Sequence, residues 1–197
     1  FAITRQGGLI TQNQIMEWTL QGRTFHTQIG DAVTKVDFVE TAYDEDQPQF
    51  ALLVPTGVTV IPFSLSVEAQ DQAGTDTHCI WSMCNNSIGA GTSTALTITN
   101  MRSDSDRATG CTANSLYTAN ATAATAPKEI IRWVDAFADV NTFVPARYKW
   151  DLMSSAVTPV LVGPATLFLH FISTTDGPEG FAEMAWAEWT TSEIVKT

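Results

Sequence analysis

Charge is scarce in this 197-residue chain, and basic charge is the scarcest. Only 16% of the residues are charged, and 10 Lys and Arg stand against 21 Asp and Glu, which gives a net charge of −11 at pH 7. Proteins that bind a nucleic-acid backbone do so through clustered Lys and Arg. We therefore expect no direct nucleic-acid partner. Solubility alone is enough to explain the acidity.

Cysteines are few and long apolar runs are missing. Cys79, Cys84 and Cys111 form an odd, sparse set, which is not the pattern of a disulfide framework. Cys79 and Cys84 are five residues apart on a predicted strand, so they point to opposite faces and cannot pair with each other. Cys111 could pair with either one, but the sparse set makes free, part-buried thiols the expectation. No apolar run approaches the roughly 18 residues of a membrane span, and the start shows no signal-peptide pattern. We expect no membrane partner.

Reactive motifs are also missing. His26, His78 and His170 lie far apart, and the chain has no His-x-His pair, no Gly-x-Ser-x-Gly and no phosphate-binding loop. Three adjacent carboxylates at residues 44–46 could hold calcium, but they lack the spacing and glycine of an EF-hand, which favours a solvated loop. We expect no catalytic residue, no cofactor and no metal site.

Two functions that act on a ligand stay open as alternatives. Sandwich-fold glycoside hydrolases use two facing carboxylates, and Glu183 or Glu188 could pair with one on another strand, such as Asp151. Because Glu183 and Glu188 are five residues apart, they point to opposite faces and cannot form that pair themselves. A carbohydrate-binding module is the other alternative, and its aromatic platform would consist of Trp18, Tyr117, Trp186 and Trp189.

What the chain does contain is β-type sequence, best seen at residues 49–70. An apolar run leads to a Pro-Thr-Gly turn, and strict alternation follows, which predicts a buried hairpin. Pro62 cannot donate to a ladder, so its strand lies at an edge or has a bulge there. The predicted core face of the second strand is Thr59, Ile61, Phe63, Leu65, Val67 and Ala69.

The rest of the chain repeats this pattern, and turn signals separate about nine or ten strands. Residues 128–138 fit a helix or a strand, and the context favours a strand. Residues 101–126 are rich in small residues and predict a long surface loop. Strands without intervening helices indicate an all-β antiparallel sandwich, with residues 23–197 as a single domain.

In residues 1–22 the apolar residues recur with no sustained helix or strand period, which predicts an extended N-terminal arm. Ile15 and Trp18 suggest that the arm docks on something, which is either its own domain or a neighbour. We predict an interface that involves Ile15 and Trp18 of the arm and Trp186 and Trp189 of the last strand.

Three segments resemble jelly-roll virion proteins, either coat subunits or the trimeric decoration (cement) proteins of tailed phages. They are QFALLVPTGVTVIPFSLSVEAQ at residues 49–70, VLVGPATLFLHF at 160–171 and AWAEWTT at 185–191. The resemblance implies a sandwich of jelly-roll type and a structural role through oligomeric assembly, with a homotrimer favoured. It also implies contacts with other capsid proteins and a place on the capsid surface of a virion. It assigns no functional residue.

Overall fold

The computed structural model describes residues 2–3, 9–10, 14–31, 33–38, 42–71, 76–136, 146–155, 158–173 and 178–194. Strands dominate these ranges, and ten of the strands have five residues or more, which matches the number predicted. The elements are β1 (Ala2–Ile3), β2 (Leu9–Ile10), α1 (Gln14–Leu20), β3 (Thr24–Ile29), β4 (Val36–Asp37), β5 (Phe50–Val54), β6 (Val58–Asp71), β7 (Asp76–Cys84), β8 (Thr92–Leu96), β9 (Thr99–Asn100), β10 (Thr112–Ala119), β11 (Lys128–Ala136), β12 (Ala146–Asp151), β13 (Leu161–Val162), β14 (Ala165–Ser173), β15 (Glu179–Thr190) and a 3₁₀ turn at Thr191–Glu193.

Two antiparallel sheets pack against each other. The six-stranded sheet has the order β11-β7-β14-β5-β10-β8. The seven-stranded sheet has the order β12-β6-β15-β3-β9, with β13 beside β6 and β4 beside β15. This confirms the predicted all-β antiparallel sandwich, while its jelly-roll type stays a prediction.

Large aromatic side chains fill the space between the sheets. Trp81 and Phe171 enter it from the six-stranded sheet, and Phe25 and Trp186 stack in it from the seven-stranded sheet with ring centroids 6.2 Å apart. Strand β14 has apolar residues at both odd and even positions, so both of its faces are apolar, and it is buried at every position. It lies between β7 and β5, and a second apolar cluster covers its outer face. It is therefore a central strand, covered on both faces.

The connection from β5 to β6 is an arch between the sheets and not the predicted hairpin. The Val58 N–H donates to the Pro55 carbonyl (3.2 Å), which makes Thr56 and Gly57 the central turn residues, and Gly57 has a φ of +87°. However, β5 pairs with β10 and β14, whereas β6 pairs with β12, β13 and β15. All of these partners are distant in sequence, so local turn chemistry could not distinguish an arch from a hairpin.

Strand β6 has a bulge at Phe63. Trp186 of β15 lies opposite Pro62 and Ala185 lies opposite Ser64, so Phe63 has no residue opposite it. The prediction that Pro62 marks an edge or a bulge is confirmed as a bulge, since β6 has β15 on one side and β12 and β13 on the other.

The bulge shifts the alternation of β6 by one residue, so the predicted core face is wrong for its first half. Ile61 and Phe63 face outward, and Val60 faces the core instead. After the bulge the prediction is correct, and the core-facing residues are Leu65, Val67 and Ala69.

The predicted surface loop at residues 101–126 contains a full strand, β10, between β5 and β8. The prediction failed because β10 is polar even where it is buried. The Asn114 amide donates to the Ser93 hydroxyl (3.0 Å), and the Ser115 hydroxyl donates to the Thr94 carbonyl (3.5 Å), so both polar side chains find partners on β8. By contrast, residues 128–136 form the favoured strand, and residues 137–138 lie outside the described ranges.

The predicted extended arm is helical at Gln14–Leu20. Ile15 and Trp18 are three residues apart and both face the sheet, which is the spacing of one helix face. The helix ends at Leu20, and it is closed by the Gly22 N–H, which donates to the Thr19 carbonyl, and the Arg23 N–H, which donates to the Trp18 carbonyl, both at 2.9 Å. In the described part of the chain, no helix has the length and apolar character to cross a membrane. Residues 1, 4–8 and 11–13 of the arm lie outside the described ranges.

We expect Gly180→Ala to destabilise the fold more than Gly57→Ala. A Cβ added at Gly180 would lie 1.9 Å from the Glu68 carbonyl oxygen, which forces β15 away from β6 and costs about 3 kcal/mol. A Cβ added at Gly57 meets nothing within 4 Å, so only its left-handed backbone costs free energy, about 1–2 kcal/mol. Urea denaturation measures both values, and equal losses would contradict the close pairing at Gly180.

Candidate functional site

Helix α1 covers one end of the outer face of the seven-stranded sheet. Trp18 packs on Phe63, Ala185 and Ala187, and its indole meets Trp189 edge-on with ring centroids 5.0 Å apart. Trp18 therefore docks on its own domain, which is one of the two outcomes that the sequence left open.

The residues predicted for the interface separate into two places. Ile15 and Trp189 are half-buried beside Trp18 on the outer face, whereas Trp186 is 0% exposed in the core, where its indole N–H donates to Glu188 (2.8 Å). Trp186 and Trp189 are three residues apart on β15, so they point to opposite faces. Trp186 has no surface to offer a partner, and its assignment to the interface is wrong. The interface role of the other three residues stays a prediction.

The aromatic platform proposed for a sugar does not form. Tyr117 belongs to β10 in the other sheet, is buried, and donates its hydroxyl to the Gly89 carbonyl (3.1 Å). With Trp186 in the core, the four aromatic side chains lie in three separate environments.

Apolar side chains remain exposed around α1. Val162 lies opposite Thr59, which in turn lies opposite Trp189, so these three residues share the outer face. Met101 lines the same cleft as Phe63. We name as the apolar face the six exposed residues of this region, Met16, Leu20, Met101, Met153, Val160 and Val162.

The loop after β9 holds the C-terminal end of α1. The Arg102 guanidinium donates to the Leu20 carbonyl (2.6 Å), and the Asn100 amide donates to the Gly22 carbonyl (2.9 Å). A cation at the carbonyl end of a helix also interacts favourably with the helix dipole. The helix is therefore fixed to the sheet by hydrogen bonds as well as by Trp18.

The other end of the outer face is polar, and strand register arranges its side chains in two rows. The first row crosses β3, β15, β6 and β12 with Gln28, Glu183, Ser66 and Lys149. The second row crosses β15, β6 and β12 with Phe181, Glu68 and Arg147. We call these the polar rows. Glu68 and Glu183 are diagonal neighbours in them, about 7–8 Å apart.

Both carboxylates of the polar rows are ionised at neutral pH. The His26 imidazole, whose Nε2 lies 3.6 Å from the Glu183 carboxylate, and a hydrogen bond from the Ser66 hydroxyl (2.8 Å) lower the pKa of Glu183 to about 2. The Arg147 guanidinium lowers the pKa of Glu68 in the same way. Glycoside hydrolysis needs one carboxyl that keeps its proton as the general acid. This pair does not provide one.

Asp151, the predicted partner for Glu183, lies on the same face but not beside it. It is opposite Ser64, so one strand and one row separate it from Glu183. Its carboxylate accepts the Ser154 N–H (2.9 Å) in its own turn. Glu68 is the carboxylate diagonal to Glu183, and sequence reasoning missed it, although the outward alternation of its strand was correct at that position.

Glu188 lies on the core side of β15, so the prediction that it and Glu183 point to opposite faces is confirmed. It is buried, and its carboxylate accepts hydrogen bonds from the Trp186 indole, the Thr109 hydroxyl and the Gly110 N–H (2.9 Å). These bonds attach the loop before β10 to β15, which is a structural role.

The three histidines do not converge. His26 lies beside the polar rows, while His78 and His170 lie on neighbouring strands of the other sheet. His170 is buried and donates its Nε2–H to the Asp44 carbonyl (2.8 Å), and burial lowers its pKa to about 4. It is therefore neutral in the folded protein at pH 7.

The cysteines and the acidic loop are also accounted for. Cys79, Cys84 and Cys111 are free and buried, in keeping with the expectation of free thiols. In the loop at residues 44–46, the Asp44 carboxylate accepts the Asp46 N–H (3.0 Å). Over the ranges that the structure describes, no three His, Cys, Asp or Glu side chains are grouped so as to hold a metal ion.

We expect the same substitution on β15 to have different effects at its two carboxylates. Glu188→Gln replaces one buried acceptor oxygen by an NH₂ group that faces a donor, which lowers the free energy of unfolding by about 2–3 kcal/mol. The Glu183 side chain is half-exposed, so Glu183→Gln lowers the free energy of unfolding by less than about 1 kcal/mol. Thermal and urea unfolding test this, and a larger effect at Glu183 would contradict the structural role of Glu188.

We also expect His170 to make stability depend on pH. The folded state keeps His170 neutral down to pH about 4, whereas the unfolded state protonates it near pH 6.5, so the unfolded state binds more protons between these values. The free energy of unfolding therefore falls on acidification, by about 2 kcal/mol from pH 7 to pH 5.

Urea denaturation at these two pH values measures the change. His170→Gln should flatten the pH dependence, while His78→Gln, on the neighbouring strand, should keep it. An unaltered slope in His170→Gln would show that another group is responsible.

No protein-family model, curated protein or solved structure matches this chain. The outer face of the seven-stranded sheet carries two distinct surfaces, an apolar end around α1 and a polar end of paired charges.

Proposed function

We propose that the protein is a structural subunit that works through oligomeric assembly, as a coat or decoration protein on the capsid surface of a virion. The observation that carries this proposal is the apolar face, where exposed Met16 and Leu20 of one short helix join four exposed apolar side chains of the neighbouring segments. Gathered apolar residues at a protein surface are typical of an interaction site, whereas single ones are not.

The residue types of the apolar face support this role. Three of the chain's five methionines lie on it, and methionine adapts its shape to a partner surface. These side chains are about half-exposed, so complete burial of each would contribute about 1 kcal/mol. Together they supply several kcal/mol for association, before the entropic cost of bringing two molecules together.

Charge permits the partner on the apolar face to be a second copy of the chain. With a net charge of −11, two copies repel each other except where charged side chains are few. All six residues of the apolar face are uncharged. The resemblance to decoration proteins implies a trimer. The acidity also favours an outer position on the shell, away from packaged nucleic acid.

The arm adds to this proposal. The chain enters α1 at Gln14, on the same outer face, so the residues ahead of it start from the proposed contact surface. Contacts of the arm with a neighbouring subunit or with other capsid proteins would extend the interface.

We expect the full chain to form an oligomer, with a trimer favoured, and Val162→Lys and Leu20→Lys to convert it to monomers by placing charge in the contact. Val134→Lys is the matched control, since Val134 is 51% exposed against 48% for Val162 but lies on β11 of the other sheet. Sedimentation velocity over a range of concentrations measures the mass of each form. A monomer at every concentration, or an oligomer that only Val134→Lys disrupts, would overturn the proposal.

A further inference from the structure

The polar rows form the floor of a groove of about 660 Å³ on the outer face. Its lining includes Gln28, Ser66, Glu68, Gln70 and Glu183 from three adjacent strands. The geometry points to a binding site for a neutral oligosaccharide in this groove. The site is separate from the apolar face and goes beyond a role in assembly.

The floor of the groove is rigid and long. Its side chains project from β3, β15 and β6, which are paired along their length. From Ser66 to Gln70 the strand advances four residues, about 13 Å at 3.3 Å per residue. This length suits a short oligosaccharide better than a single sugar. Sites on paired strands hold their side chains more precisely than sites on loops.

Hydrogen-bond donors and acceptors alternate on this floor. Arg147 uses Nε and Nη2 for Glu68, which leaves its Nη1 as a donor. Gln70 gives its Nε2 to Glu68 (3.3 Å) and keeps its amide oxygen as an acceptor. The Gln28 Nε2 donates to the Gly30 carbonyl (3.3 Å), so Gln28 also keeps its amide oxygen as an acceptor. A sugar hydroxyl both donates and accepts, so a row of hydroxyls matches a surface that offers both.

One wall of the groove is preformed. The Asp31 carboxylate accepts the Val33 and Thr34 N–H groups at 2.9 and 2.8 Å, which ties these two residues to the end of β3. There the Phe181 ring packs so closely on Gly30 that an added Cβ would lie 2.5 Å from it. Phe181 therefore presents a fixed aromatic surface, on which the apolar face of a sugar ring can rest.

The charges of the groove favour a neutral ligand. Three carboxylates line it, from Asp31, Glu68 and Glu183, together with the cations of Lys35 and Arg147. The cations are engaged, since Arg147 pairs with Glu68 and Lys35 pairs with Glu179. The lining has one more carboxylate than cations, so it repels an anion, while a cation would meet Lys35 and Arg147 as well as the carboxylates. The ionised carboxylates can accept hydroxyl hydrogens but lack the proton that cleavage requires.

Binding to a panel of neutral oligosaccharides tests the proposal, with oligomers of glucose, xylose, mannose and N-acetylglucosamine as the probes. We expect at least one to bind the full chain, in calorimetry or ligand-observed NMR, with an affinity that changes less than twofold between 50 and 500 mM NaCl. Glu183→Gln and Gln28→Ala should each weaken binding at least tenfold, because each removes an acceptor from the floor.

The control variant is Glu129→Gln, the same substitution on the opposite sheet, which should stay within twofold of the wild type. Circular dichroism establishes that each variant is folded. Because Gln28 is exposed, we expect Gln28→Ala to leave the fold intact. No binding across the panel would overturn the proposal. So would binding that Glu183→Gln and Gln28→Ala leave unchanged, or binding restricted to cationic oligomers and lost in salt. The native mass is measured independently, so failure here leaves the assembly proposal standing.

Discussion

The missing N–H of Pro62 is the constraint on which the outer face of the seven-stranded sheet depends. Proline cannot complete a β ladder, and β6 accommodates it with one extra residue, Phe63. The alternation of β6 then shifts by one, so Ile61 and Phe63 face outward ahead of the serines and Glu68 that follow. An unbroken alternation would have put Ile61 and Phe63 into the core and removed Phe63 from the surface on which Trp18 packs.

The two ends of this face follow from that shift. At the end before the bulge, apolar residues of β6 and β15 receive Trp18, and the exposed residues around the helix form the apolar face. At the end after the bulge, Ser66 and Glu68 join Glu183 and Arg147 in a network of paired charges. One sheet thus presents an apolar surface suited to protein contact and a polar groove suited to hydroxyls.

Elements whose signal is local were predictable from the sequence. The alternation of β7 and β12, the apolar β14 and the bulge at Pro62 all depend on residues within one segment. The opposite directions of Glu183 and Glu188 followed from their spacing alone. These signals were sufficient for the fold class, because an all-β sandwich requires only strands and turns in sequence.

The remaining features depend on partners that are distant in the chain. The arch after β5 differs from a hairpin only in which strands pair, and the polar β10 is stabilised by hydrogen bonds to β8. Trp186 and Trp189 look alike in sequence, yet one is in the core and the other on the outer face. The groove was not predicted because its charged pairs join strands that are far apart, as Glu68 and Arg147 show.

Hydrogen–deuterium exchange of dilute and concentrated protein is the sharpest test of assembly through the apolar face, because it locates the contact surface residue by residue. We expect exchange to slow with concentration in α1, at Gln14–Leu20, and in β13, at Leu161–Val162, while the strands of the six-stranded sheet are unaffected. Exchange that does not depend on concentration, or protection confined to the edge strands β11 and β12, would contradict it.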